Sequence, residues 1–196
     1  MKEKILTEKY LSDLIAEAFV VKEFVKNKFT HLSSEQINWK FDKNKWSIAQ
    51  CLEHLIISDN AYFLEIEKSI SGIKEKDKKG ENYFKSGFLG KLFLFYTDPN
   101  SSKKFEAVDA FKPSDNIMTA NIFNSFNEHQ NKLMSLLEDC RNLNLSATKV
   151  AHPVNRLIKF RLGDFFNLII THEKRHLLQA EKVVNHQFFP KQVLVA

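Results

Sequence analysis

Apolar residues recur at three- and four-residue intervals in four stretches of the chain, and each stretch predicts an amphipathic helix. The first runs from Thr7 to about Lys28, where Leu11, Leu14, Ile15, Ala18, Phe19, Val21, Val25 and Phe29 are separated by Lys, Glu and Asp. The second begins after Ser47, which forms an S-x-x-Q capping box with Gln50, and Trp46 is placed to pack on Cys51 as a hydrophobic staple. Its stripe of Ile48, Leu52, Leu55, Ile56, Phe63 and Ile66 ends near Gly72. The third starts after Pro113, with Ser114 or Asp115 as N-cap, and carries Ile122, Phe126, Leu133, Leu136 and Leu137 to about Cys140. The fourth, Asp164–Val183, has Phe165, Ile169, Ala180 and Val183 on one side. Four such segments predict an all-α, four-helix bundle with a long crossover between the second and third helices, forming one domain over residues 1–196.

The connections are less regular. The polar stretch HLSSEQINWKFDKNKW places His31 at the surface, and the loop RNLNLSATKVAHPVNRLIKFRLG has Pro153 and Gly163 as breakers. His152 and His186 read as loop residues, and no strands are expected. In the crossover, IKEKDKKGEN is a charge run that predicts a solvated loop, whereas FKSGFLGKLFLFYTDPN is too apolar to be a free linker. It reads either as core padding, the preferred alternative, or as a short helix capping the bundle and walling a pocket.

Composition narrows the class. Hydrophobic residues make up 43% of the chain and only 5 Gly and 4 Pro interrupt it, which favours long helices over a turn-rich β-fold. Cys51 and Cys140 give no disulfide framework and the N-terminus has no signal-peptide pattern, so a cytoplasmic protein is expected. No apolar run approaches the roughly 18 residues a membrane span needs. The net charge of +5 comes from Lys interleaved with Glu, without basic clusters alternating with aromatics, which argues against nucleic acid as a partner. A small-molecule substrate is the expected partner, and the apolar crossover offers a contact for a homodimer.

The chemistry stands out in the fourth helix, where His172, His176 and Gln179 project from the middle of the apolar stripe. Side chains at i and i+4 stack about 5–6 Å apart at Cβ, so the two imidazoles can converge on one ion. A third ligand is open between His54, about 120° from the centre of its stripe, and His129, about 50° from the centre of its own. Imidazole suits zinc, nickel, iron or copper, and three protein ligands with a fourth position for water mark a catalytic zinc site. HEKRH also fits H-E-x-x-H, the metalloprotease pattern in which Glu173 would be the general base. The extended form fails at Gln179 and Lys182, and no strands offer a peptide-binding edge. Glu173 lies about 80–100° round the helix from the histidines, where it reaches a metal-bound water or, in the preferred alternative, faces solvent. Cys51 is a remote candidate nucleophile.

The segment WSIAQCLEHL, with one His early in the second helix, and HPVNRLIKFRLGDFFNLIITHEKRHLLQ, a His-Pro lead-in followed by H-x-x-x-H-x-x-Q, together resemble the DinB-like/YfiT-like superfamily over nearly the whole chain. That resemblance implies a four-helix bundle binding a divalent metal through three histidines, one from the second helix and two from the fourth. On this sequence they are His54, His172 and His176, with Gln179 as the supporting residue behind them, and His129 falls back to an alternative ligand. Some relatives are thiol transferases or isomerases using bacillithiol, mycothiol or glutathione, and others are described as metal-dependent hydrolases. The resemblance therefore implies transferase or hydrolase chemistry with a divalent ion, zinc or nickel first and iron or manganese next, and a low-molecular-weight thiol as co-substrate.

Overall fold

In the computed structural model, which describes residues 5–73, 83–99, 101 and 107–191, four long helices form a bundle. They are α1 (Thr7–Phe29), α3 (Ile48–Ser71), α5 (Asn121–Asp139) and α6 (Leu162–Val184). A short α2 (Ser34–Asn38) follows α1, and α4 (Phe88–Thr97) lies in the crossover. Helix α1 packs on α5 and α6, and α3 packs on the same two. Among the described residues no helix is long and apolar enough to cross a membrane.

Both capping boxes in the first third of the chain form. Ser47 and Gln50 exchange hydrogen bonds of 3.2 Å each way, which satisfies the free amides at the start of α3. Ser33 and Gln36 do the same for α2, inside a stretch that the sequence left as a connection. Along α6, Phe165, Phe166, Ile169 and Ile170 are all fully buried, on more than one side of the helix. At about 1.5–3 kcal/mol per buried large side chain, α6 is the element the core closes around.

The structure departs from the sequence expectations at several elements. Helix α5 starts at Asn121, not just after Pro113. The capping groups of residue 114 are already engaged, since the Ser114 N–H and Oγ donate to Glu53 at 2.6 and 3.1 Å, and its carbonyl accepts from Gln50 at 2.8 Å. These bonds strap the stretch before α5 across the N-terminal half of α3. Phe19 is exposed, while Val21 and Val25 of the same stripe are buried.

Two antiparallel strand pairs also form. β1 (Ile5–Leu6) pairs with β2 (Tyr83–Phe84), and β3 (Lys149–Ala151) pairs with β4 (Lys159–Arg161), aligning Val150 with Phe160. Each strand is only two or three residues long, too short for alternation to appear as a period. Of the charge run IKEKDKKGEN, residues 74–82 lie outside the described residues. The apolar half of the crossover is a helix and not core padding: in α4 only Gly90 is buried, and Phe88 and Phe95 are 80% and 66% exposed. It lies against α6, with Phe93 edge-on to Phe160, and Arg175, next to His176, donates to the Asp98 carbonyl just past its end at 3.1 Å.

Gly163 is not a breaker but lies in the first turn of α6, where a Cβ would stand 2.5 Å from the Phe84 ring. That ring is stacked on Tyr10 at 4.4 Å and cannot retreat freely, and the Tyr10 hydroxyl donates to the Gly163 carbonyl at 3.0 Å. Gly163→Ala is therefore expected to destabilise by about 1–3 kcal/mol through overpacking. Thermal unfolding followed by circular dichroism should show a melting temperature lower by roughly 2–12 °C; an unchanged value would mean that Phe84 is not held against this turn.

Candidate functional site

Helix α3 presents His54 and helix α6 presents His172 and His176 to one point in the bundle. The ring centroids are 5.1 Å apart for His54 and His172, 4.5 Å for His54 and His176, and 4.6 Å for His172 and His176. His54 Nε2 and His172 Nε2 approach to 3.2 Å, and one nitrogen from each of the three rings lies within 4.8 Å of the others. Two ligands on a tetrahedral ion, each about 2.0–2.1 Å from it, stand about 3.3 Å apart, so this separation suits a shared ion. Among the described residues no fourth His, Cys, Asp or Glu completes the group.

The tautomer of His54 is fixed by its surroundings. Its Nδ1 lies 2.7 Å from the Phe111 carbonyl and donates to it, which leaves the Nε2 lone pair free to face His172. Phe111 ends the one-turn 3₁₀ helix Asp109–Phe111 in the segment strapped to α3 by Gln50 and Glu53, so the strap delivers this carbonyl. Burial and the neighbouring His172 lower the His54 pKa to about 4, and burial with His172 and His54 lowers His176 as well. Both rings are therefore neutral at pH 7. The Trp46 indole lies over His54 and His176 at 4.7 and 5.5 Å. Gln179 interacts with His176 from the next turn of α6 and favours its protonated form, though less strongly than burial opposes it.

A second polar group sits beside the first. Asp59, His129 and Glu173 are buried, and their ligand atoms lie within 4.8 Å of one another. His129 Nε2 is 3.3 Å from Asp59 Oδ2 and 3.6 Å from Glu173 Oε1, while the other Asp59 oxygen is 3.8 Å from His172 Nδ1. Gln130 Nε2 donates to Glu173 Oε1. This buried cluster of His, Asp and Glu is compatible with divalent metal binding.

The family model described as the DinB superfamily matches residues 27–180. The chain belongs to the DinB superfamily. Neither a curated protein nor a solved structure matches it. In this DinB superfamily member the matched span includes α3, α5 and most of α6, and hence every residue of both groups.

Of the residues singled out by sequence, the structure brings His54, His172 and His176 together and leaves His129 in the neighbouring carboxylate group. Glu173 does not face solvent: it is fully buried, because α6 is enclosed on several sides, and it is turned onto His129 and Gln130. His31 is exposed, His152 lies against Tyr62, and His186 stacks on Phe41. Asp59 and Gln130 were missed. The signal for Asp59 was available, since it interrupts the i, i+4 ladder Leu55, Asp59, Phe63 in the middle of the α3 stripe. His129 between Phe126 and Leu133, and Glu173 between Ile169 and Leu177, interrupt their own helices in the same way.

Cys51 is fully buried and burial pushes its thiol far above the usual range; burial and then Asp139 push Cys140 up to about 12. A free cysteine is about half thiolate at pH 8.5, and thiolate is the reactive form. Iodoacetamide at that pH is expected to label neither cysteine quickly in the folded DinB protein and both in denaturant, as read by mass spectrometry. Rapid native labelling of Cys51 would restore it as a candidate nucleophile.

The titrating groups set a pH optimum for metal-free protein. His54, lowered from 6.5 to about 4, contributes stability that is present above pH 6.5 and lost as pH falls towards 4. Burial opposes charging of His129, but the Asp59 and Glu173 carboxylates outweigh it and raise this pKa from 6.5 to about 9. That contribution is present below pH 6.5 and lost as pH rises through 9. Burial alone would raise Asp59, yet His129 and His172 hold it below the usual range, whereas burial and the Asp59 charge raise Glu173. The melting temperature of chelated protein is expected to peak near pH 6–7 and fall on both sides; a steady rise from pH 5 to 9 would exclude a charged His129.

Proposed function

We propose that this DinB superfamily member is a metal-dependent enzyme that joins a low-molecular-weight thiol, of the bacillithiol or glutathione kind, to a small electrophile in the cytoplasm. The observation that carries this reading is the convergence of three imidazoles, with the His54 Nε2 lone pair freed by the Phe111 carbonyl and standing 3.2 Å from His172 Nε2. A divalent ion there, zinc or nickel first and iron or manganese next, supplies positive charge that lowers the pKa of a thiol or water in its open position.

The protein's own groups do the rest. As ligands, His54, His172 and His176 would each donate through an imidazole nitrogen, which carries no negative charge and so would leave the ion's charge in place. Asp59 Oδ1 lies 3.8 Å from His172 Nδ1, at the opposite ring nitrogen from the one that faces His54, as an acidic neighbour that is not hydrogen-bonded to it. Gln179 supports His176, and Trp46 covers two of the rings and keeps bulk water off them. The His172 side chain remains 18% exposed, which leaves a route for substrate. In the reaction the thiol loses its proton to solvent, its sulfur forms a bond to the electrophilic carbon, and the leaving group departs with its electron pair.

The test is conjugation of bacillithiol or glutathione to monochlorobimane by metal-loaded protein. The expected result is acceleration that disappears in His172→Ala. No acceleration with any of the four metals would overturn the transferase reading, and ester turnover without added thiol would replace it with hydrolysis.

A further inference from the structure

We infer that the group formed by Asp59, His129 and Glu173 is a second divalent-cation site, distinct from the three histidines and linked to them through Asp59. Three helices supply it, α3, α5 and α6, and its carboxylates are fully buried with His129 nearly so. As an ion triad the group is poorly made. His129 Nε2 stands 3.3 Å from Asp59 Oδ2 and 3.6 Å from Glu173 Oε1, yet it forms a hydrogen bond with neither.

Asp59 Oδ2, both ring nitrogens of His129 and Glu173 Oε2 are buried with no hydrogen-bond partner. Unpaired buried polar atoms are costly, and here four of them share one small region. The same spacings suit ligands of one ion, which stand about 3.3 Å apart on a tetrahedron with bonds near 2.0–2.1 Å.

The chemistry of the group points the same way: two carboxyl groups and one imidazole, all buried, face one another from three helices. One imidazole nitrogen with two carboxylate oxygens is a donor set for a first-row ion such as zinc, iron or manganese. Gln130 acts as the supporting residue: its Nε2 donates to Glu173 Oε1, the oxygen 3.6 Å from His129, and Oε2 is left without a partner. Asp59 is the common element, with one oxygen towards His129 and the other towards His172 Nδ1. Two ions would therefore be coupled through one carboxylate and one imidazole.

The test is zinc stoichiometry by elemental analysis of metal-free protein reloaded with zinc and desalted, with calorimetric titration alongside. The expected values are about two ions per chain for the wild type and about one for Glu173→Gln, for His129→Gln and for His172→Ala. Far-UV circular dichroism of each variant confirms that it is folded, and His172→Ala keeps the question open to decision if a change inside the cluster prevents folding. One ion in the wild type that persists in Glu173→Gln and His129→Gln but is lost in His172→Ala overturns the inference. One ion that is lost in Glu173→Gln and persists in His172→Ala upholds the carboxylate site and instead removes the histidine reading.

Discussion

His172→Ala is expected to remove the ion at the three histidines and with it any conjugation activity. The variant leaves His54 and His176, two donors from two helices, and the pair that approaches to 3.2 Å is gone. Losing a residue that only supports a ligand costs about 10–100-fold in metal affinity. Losing the ligand itself should exceed that, so affinity measured by chelator competition should fall by more than 100-fold. Stability of the metal-free protein should change little by comparison, because His172 makes no buried hydrogen bond through Nδ1 and is partly exposed. Unaltered affinity would assign the ion to other groups.

Asp59→Ala is expected to give the largest loss of stability of any substitution near the site. The carboxylate is fully buried, faces two imidazoles and accepts from Ser58 Oγ at 3.3 Å. Removing it leaves His129 enclosed beside a single carboxylate and opens a cavity between α3, α5 and α6. Breaking a buried charged group in this way costs about 3–5 kcal/mol. For a chain of this length the melting temperature should drop by roughly 6–20 °C. Asp59→Asn keeps the volume, so it should lose less stability than Asp59→Ala while still disturbing His172. Equal losses for the two variants would show that volume plays no part.

The four long helices were legible because each has a sustained apolar stripe, and the chemistry of α6 was legible because His172 and His176 break its stripe four residues apart. His54 was not decided by periodicity. Its place on the flank of the α3 stripe suits a boundary residue, and only the strap through Ser114 and Phe111 makes that flank an interior. The strap itself was invisible because Ser114 reads as a helix cap until Glu53 is seen to hold it. Glu173 was misread for a related reason. A helix wheel assigns one face to solvent, but α6 is contacted by α1, α3 and α4 together, and a central helix has no free face there. The carboxylate cluster was hidden because its members come from three helices and no single segment contains two of them.

The most direct measurement is zinc-edge X-ray absorption on His129→Gln protein loaded with one equivalent of zinc, since this variant leaves the three converging histidines as the imidazole donors of interest. The expected first shell has three imidazole nitrogens at about 2.0–2.1 Å with a further light-atom ligand and no sulfur. A first shell with fewer than three imidazoles, or with a thiolate sulfur at about 2.3 Å, would contradict it.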